Sequence, residues 1–299
     1  MKLVQYPFYC HDKNKESMQR MCAAVGITFE ATNDFNRMKQ GDYDYAWLPT
    51  QWVAPEQFPL HVKLIYGPQH FVFPDPAKEG VCGPKDSELS KRAIYLCLSD
   101  WIYTVFHEFS SSFRIPICPF PFGIKDLPPR DLSTASLDCI VYSKRRHPAI
   151  LTHVLKTIQE MQLTSQTFSY GSYKDHEYQT ALQHAKLIIW VGCHESQGFA
   201  FQEAMSRNIP VLVIDAETMF DEYNEYTSYR GVKELKATSA SWWCAKGRCG
   251  EKIAPTDDLK ATLTHMLANI HKYNPAEFVR EHLSDKVCME RILTAFHQE

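Results

Sequence analysis

Two carboxylates, Glu195 and Glu203, bracket the stretch Glu195-Ser196-Gln197-Gly198-Phe199-Ala200-Phe201-Gln202-Glu203-Ala204-Met205. An apolar run from Leu187 to Cys193 precedes it, and a second from Ile209 to Asp215 follows. The pattern predicts strand, acidic loop, helix, strand. One carboxylate then sits at the carboxyl end of a strand and the other in the first turns of the next helix. In open α/β sheets that edge is where ligands bind. A helix N-terminus presents unpaired N–H groups and a partial positive charge, which attract phosphate. Carboxylates beside it accept hydrogen bonds from hydroxyls, and Gly198 lets the backbone approach a ligand closely. Donors for phosphate next to acceptors for hydroxyls describe a site for a sugar nucleotide. Taken alone, the two glutamates are better described as an ordinary acidic helix start. The glycine, the two flanking strands and the Pro210-Val211 run together favour the ligand site.

A diphosphate also needs cations. Ser143-Lys144-Arg145-Arg146-His147-Pro148 follows the apolar run Leu137 to Tyr142 and so lies at another strand's carboxyl end. Arginine offers a planar fork to phosphate and lysine a point charge. Lys144 and Arg145 are the candidates, with Arg146 behind them. The alternative is a solvated charged loop.

The Glu195–Met205 block resembles the donor site of retaining glycosyltransferases of the GT-B fold, specifically the large family four. Glu195, Gly198, Phe199, Glu203, Ala204 and Met205 match that family's two glutamates, seven residues apart, with Gly-Phe between and Glu-Ala-Met at the end. The resemblance implies that Glu195, with Ser196 and Gln197, contacts the donor sugar and acts in catalysis. It implies that Glu203 binds the ribose, and that the amides at Gly198 and Phe199 sit near the diphosphate. It places an Arg and a Lys on the diphosphate, here among Lys144 and Arg145. It also places a histidine at a strand end in the first domain, near the anomeric carbon, for which His70 is the candidate and His194 a rival. The chain departs from the family pattern in three places. Asn208 stands where a glycine is usual before Pro210. The three basic residues are contiguous, with no glycine before them. Tyr6-Pro7-Phe8-Tyr9-Cys10-His11 replaces a Gly-rich loop. Asn is the next-best residue for a left-handed helix terminus, so the backbone role at 208 survives.

Other positions carry weaker signals. Tyr173, after Gly171, either stacks on the nucleobase or is a surface aromatic. Trp47, Trp52 and Phe71 form either an acceptor-sugar platform or core. Asp42-Tyr43-Asp44 imitates a metal-binding pair but precedes a buried-looking strand. Cys244 and Cys249 flank a basic Gly loop without a standard zinc spacing.

The elements that must position these residues alternate in type. Strands are expected at Leu3 to Tyr9, Ile27 to Glu30, Asp44 to Leu48, Val62 to Tyr66 and Ile94 to Leu98. Helices are expected at Lys15 to Val25 and Trp101 to Phe109, the latter capped by Ser99 or Asp100. A second series has strands at Leu137 to Tyr142, Thr167 to Tyr170, the run before Glu195 and the run after Asn208, with helices from Ala149 to Met161 and from His176 to Lys186. Residues 216–252 read as irregular. Pro255-Thr256-Asp257-Asp258 starts a helix to about Asn269, and a helical tail runs from Asn274 through Phe296. Such alternation predicts parallel sheets covered by helices, two Rossmann-like α/β domains. The expected bounds are 1–127 for an acceptor-side domain, 128–272 for a donor-nucleotide domain, and 273–299 for a C-terminal helix that, by resemblance, packs back toward the first domain.

Composition sets limits on function. The chain has 299 residues, a hydrophobic share of 44% and a net charge of -3, enough for two cores and without the basic excess of a nucleic-acid binder. No run approaches the roughly 18 apolar residues of a membrane helix, and the start is unlike a leader. These absences predict a soluble, cytoplasmic protein. The ten cysteines are scattered, and Cys22, Cys97, Cys139 and Cys193 read as free buried thiols. The expected activity is sugar transfer from a UDP- or GDP-sugar to a carbohydrate or glycoconjugate acceptor, with retention, and with no cofactor or metal. The alternatives are a sugar-nucleotide epimerase of the same fold and a non-catalytic sugar-nucleotide or carbohydrate binder.

Overall fold

The computed structural model describes residues 1–7, 9–69, 80–223, 234–244 and 247–297. The chain falls into two compact units, Met1–Gly123 with Leu283–Glu299, and Ile124–His282. Each is a parallel sheet with helices.

In the first unit the strands are β1 (Lys2–Gln5), β2 (Thr28–Ala31), β3 (Tyr45–Leu48), β4 (Lys63–Tyr66), β5 (Ala93–Cys97) and β6 (Ile117–Pro119). They lie in the order β2-β1-β3-β4-β5-β6, every pair parallel. β3 and β5 are buried at every residue, the signature of a strand covered on both faces. β6 is a strand beyond the five expected in this part of the chain. It lies at the sheet edge, where Pro119 costs no ladder bond. Helix α1 (Asp12–Ala24) buries Met18, Met21 and Cys22 at helical spacing and ends before Gly26, whose φ is +74°. Two further helices, α2 (Phe35–Lys39) and α3 (Asp100–Phe109), complete this part of the chain. Ser99 precedes α3 without a side-chain cap, contrary to the expected capping role.

In the second unit β7 (Leu137–Ser143), α4 (Pro148–Glu160), β8 (Ser165–Ser169), α5 (Asp175–His184), β9 (Ala185–Val191), α6 (Phe199–Ser206), β10 (Val211–Ile214) and β11 (Gly250–Ile253) alternate, followed by α7 (Leu259–Ala268) and α8 (Pro275–His282). The sheet order is β11-β10-β9-β7-β8, all parallel. β11 corrects the reading of 216–252 as irregular. It is a polar edge strand, so its sequence lacks the apolar run that marks a central one. Pro148 opens α4 at its first position, where a missing N–H costs nothing.

One face of this sheet packs Val141, Ile189, Leu212 and Ile214 against Val154 and Ile158 of α4 and Leu263 and Met266 of α7. The other face is aromatic. Tyr142 stacks on Trp190 across β7 and β9 at 4.2 Å, and Tyr178 of α5 and Phe201 of α6 pack edge-on against that pair. These bulky layers fix the spacing of β7 and β9, the two strands whose ends carry the candidate residues.

The C-terminal segment is two helices and not one. α8 packs on α6 within the second unit, and α9 (Asp285–Ala295) packs on α1 within the first. Arg20 pairs with Asp285 at 3.0 Å and donates to the Gly123 carbonyl, which also accepts from Ser17 at 2.6 Å. A Cβ at Gly123 would stand 2.3 Å from Asp285 Oδ1, so only glycine fits.

Candidate functional site

The second sheet reverses its strand order between β7 and β9. The chain leaves β7 toward β8, then crosses back to add β9 on the other side. At such a switch point the loops at the carboxyl ends diverge and leave a crevice. Lys144 follows β7 and Glu195 follows β9. The Lys144 amide still donates to Val191 O, so the lysine begins its loop locked to the neighbouring strand.

Lys144 Nζ lies 2.9 Å from Glu195 Oε1, with side chains 13% and 11% exposed. Burial disfavours the ammonium, but the Glu195 carboxylate beside it outweighs that and holds the Lys144 pKa above its ordinary value. The ammonium also stands 4.7 Å from the Tyr170 ring centroid, and the Arg145 guanidinium lies 5.8 Å from the same ring. Tyr170 is 51% exposed. It carries no motif, and it comes into the site only because β8 pairs beside β7 and its amide donates to Ser143 O.

The three basic residues separate by environment. Arg145 has φ +49°, a left-handed conformation that costs a non-glycine residue free energy and often marks a functional turn. Its guanidinium reaches Glu222 Oε1 at 3.4 Å and is 37% exposed. The Arg146 side chain is fully buried and donates to the carbonyls of Gly192 and Ile214. It ties the ends of β9 and β10 together and faces no solvent-borne phosphate.

Gly198 caps α6 at φ +86°, and Phe199 is the first helical residue. A Cβ there would meet nothing closer than 3.6 Å, so the need for glycine is conformational. Asn208, one residue beyond the α6 C-cap, has φ +61°, the left-handed state expected of a glycine substitute. Glu203 lies in the second turn of α6 and accepts from Gln179 at 2.7 Å. Gln197 is buried and donates to Gln202, whose amide returns a bond to the Gln197 carbonyl, so its side chain shapes the loop from within. Ser196 is half-buried beside it.

The Glu195 backbone is clamped. Its amide donates to Thr238 O, and Ser241 donates to its carbonyl at 2.6 Å. The segment holding both is anchored by Asp215, which accepts from the Ser239 amide and hydroxyl and from Thr238, and pairs with Lys252 at 2.9 Å. Burial raises the Asp215 pKa, but Lys252 and these donors outweigh it and hold the carboxyl below its usual range. No spacing pattern links residues 215, 238 and 241, so the sequence reading missed this support.

The remaining candidates are dispersed. Tyr173 hydrogen-bonds Tyr142 through the hydroxyls at 3.1 Å and packs on Phe168 and Tyr178, which makes it part of the aromatic layer. Trp47 is fully buried and donates to Gly67 O, so it is core and not a sugar platform. Trp52 stacks on Tyr66 at 4.2 Å. His70 and Phe71 lie outside the described residues. Asp44 accepts from the Lys2 amide and Asp42 pairs with Arg37, which leaves the Asp-x-Asp with structural work. No disulfide joins any of the ten cysteines, Cys244 and Cys249 included. No described helix is long and apolar enough to cross a membrane.

No protein-family model matches the chain, and no curated protein matches it by sequence. Solved structures do match in fold. Sucrose-phosphate synthase from Thermosynechococcus elongatus aligns at TM-score 0.57 and 11% identity, covering 99% of this chain and 98% of its own. The lipopolysaccharide outer core galactosyltransferase WaaB in its apo form aligns at 0.53 and 12%, covering 99% of each. HepE of Anabaena, solved with UDP, aligns at 0.52 and 11%, again over 99% of each. The two parallel-sheet α/β domains are therefore those of the GT-B glycosyltransferase fold.

Proposed function

We propose that the chain is a glycosyltransferase that moves a sugar from a UDP- or GDP-sugar to a carbohydrate or glycoconjugate acceptor, with retention of configuration. The observation that carries this reading is the buried Lys144–Glu195 pair at the switch point, in the unit that also sets Gly198 at the head of α6. A lone carboxylate at a helix N-terminus would repel a diphosphate. Paired with Lys144, it leaves a site that is neutral overall, with a cation for phosphate and an acceptor for sugar hydroxyls.

In this reading Lys144 and Arg145 hold the diphosphate, joined by the amides at Gly198 and Phe199. Glu195 takes the donor sugar, with Ser196 at its side. Glu203 takes the ribose hydroxyls, giving up Gln179 as it does so. Tyr173 supports the base side through its layer. The work is positioning and charge stabilisation of an oxocarbenium-like state, with the departing diphosphate stabilised by fixed cations and dipoles and no metal needed for transfer. Retention follows from the likeness of the Glu195–Met205 block to retaining enzymes.

Product analysis tests this. A labelled UDP- or GDP-sugar is incubated with and without a carbohydrate acceptor panel. Acceptor-dependent transfer giving a product of the donor's own anomeric configuration is expected. Conversion of the donor without any acceptor would overturn transfer in favour of an epimerase.

A further inference from the structure

Beside the Lys144–Glu195 pair, and not used by the proposed transfer, stand a thiol, an imidazole and a carboxylate. Cys193 and His194 are consecutive at the end of β9, and Glu222 follows the short turn Met219–Asp221. One potential ligand atom from each lies within 4.8 Å of the other two. Cys193 is wholly buried and the Glu222 side chain is 1% exposed, so neither is a solvated surface group. Glu222 Oε1 is taken by Arg145. Glu222 Oε2 is buried and pairs with His194 Nδ1 at 2.6 Å. A cation bound among the three would take the place of that contact, with sulfur, nitrogen and oxygen as its donors.

We infer that Cys193, His194 and Glu222 form a binding site for a borderline-soft divalent cation of the Zn2+ class. The donor set decides the class. A thiolate excludes Mg2+ and Ca2+, which take oxygen ligands, whereas sulfur, nitrogen and oxygen together suit zinc. Bonds of about 2.0–2.3 Å to the three atoms require the His194–Glu222 contact to open around the ion, and three protein ligands leave a fourth position for water or a ligand oxygen. The Cys193 proton leaves on binding. The ion would join the end of β9 to the 219–222 turn through Glu222 Oε2, while Oε1 stays on Arg145. The pattern escapes a motif search because two ligands are adjacent in sequence and the third lies in a distant turn.

The test is titration of the full-length, chelator-stripped protein with Co2+ and then Zn2+. A thiolate-to-cobalt charge-transfer band that saturates at one equivalent per chain and is displaced by Zn2+ is expected. Cys193→Ser should abolish the band, and Glu222→Gln should weaken Co2+ binding about tenfold or more. His194→Gln is the second variant, checked for native circular dichroism, and it should weaken binding by a similar factor. Absence of the band in the wild type, its persistence in Cys193→Ser, or unchanged affinity in a folded His194→Gln would each overturn the assignment.

Discussion

Ser241 donates its hydroxyl to the backbone carbonyl of Glu195 at 2.6 Å, while the Glu195 amide donates to Thr238. The acidic loop is therefore held from both sides by one distant segment. Ser241 is 3% exposed, so Ser241→Ala removes a buried hydrogen bond from the loop. The expected cost is about 1–3 kcal/mol, seen as a Tm several degrees lower. Thermal unfolding checks this, and an unchanged Tm would mean that the clamp contributes nothing.

Asp215 anchors that segment, and its depressed pKa gives a pH signature. A carboxyl whose folded pKa lies below its unfolded value of about 3.9 stabilises the fold fully above that value, and the contribution is lost as pH falls through the folded pKa. Asp215→Asn should lower stability at neutral pH and flatten the acid limb of the stability curve below about pH 4. Denaturant unfolding across pH reads both effects, and parallel wild-type and variant curves would contradict the assignment.

Two glycines separate strain from collision. Gly198 has φ +86° and a built Cβ would make only ordinary contacts at 3.6 Å or more, so Gly198→Ala should cost about 1–2 kcal/mol, the left-handed penalty alone. Gly250 has φ +136°, and a Cβ there would stand 2.1 Å from Val211 O, inside the β10–β11 ladder. Gly250→Ala should cost more than about 4 kcal/mol or prevent folding. Similar costs for the two would refute the distinction.

These cases show which parts of the site the sequence could disclose. Runs such as Leu187 to Val191 and Val211 to Ile214 announce buried parallel strands, because a strand covered on both faces must be apolar throughout. The left-handed Asn208 was legible for a similar reason, since few residue types tolerate that conformation. Edge strand β11 was not, because half of its surface is polar. Nor was the division of labour between Arg145 and Arg146. Neighbours in sequence point to opposite environments at a left-handed turn, and only the fold shows that one is a buried strut. Tyr170, Ser241 and Glu222 are joined to the site by sheet register and long loops, which leave no spacing to read.

The buried Lys144–Glu195 pair predicts coupled energetics. Removing one partner strands the other's charge, at a cost toward the low end of about 3–5 kcal/mol because both retain some exposure. Lys144→Met, Glu195→Gln and the double variant should give a coupling energy of about 0.5–3 kcal/mol. Additive single effects would show that the pair contributes no interaction of its own.

The central claim is that this site binds a nucleotide-diphosphate sugar through Lys144. Calorimetric titration of the full chain with a panel of UDP-, GDP- and ADP-sugars, in buffer containing a chelator, tests it most directly. A UDP- or GDP-sugar should bind at one per chain, and a folded Lys144→Ala variant should bind it about tenfold or more weakly, as expected for loss of a charged phosphate contact. Failure of every sugar nucleotide to bind the wild type, or equal affinity in Lys144→Ala, would contradict the account.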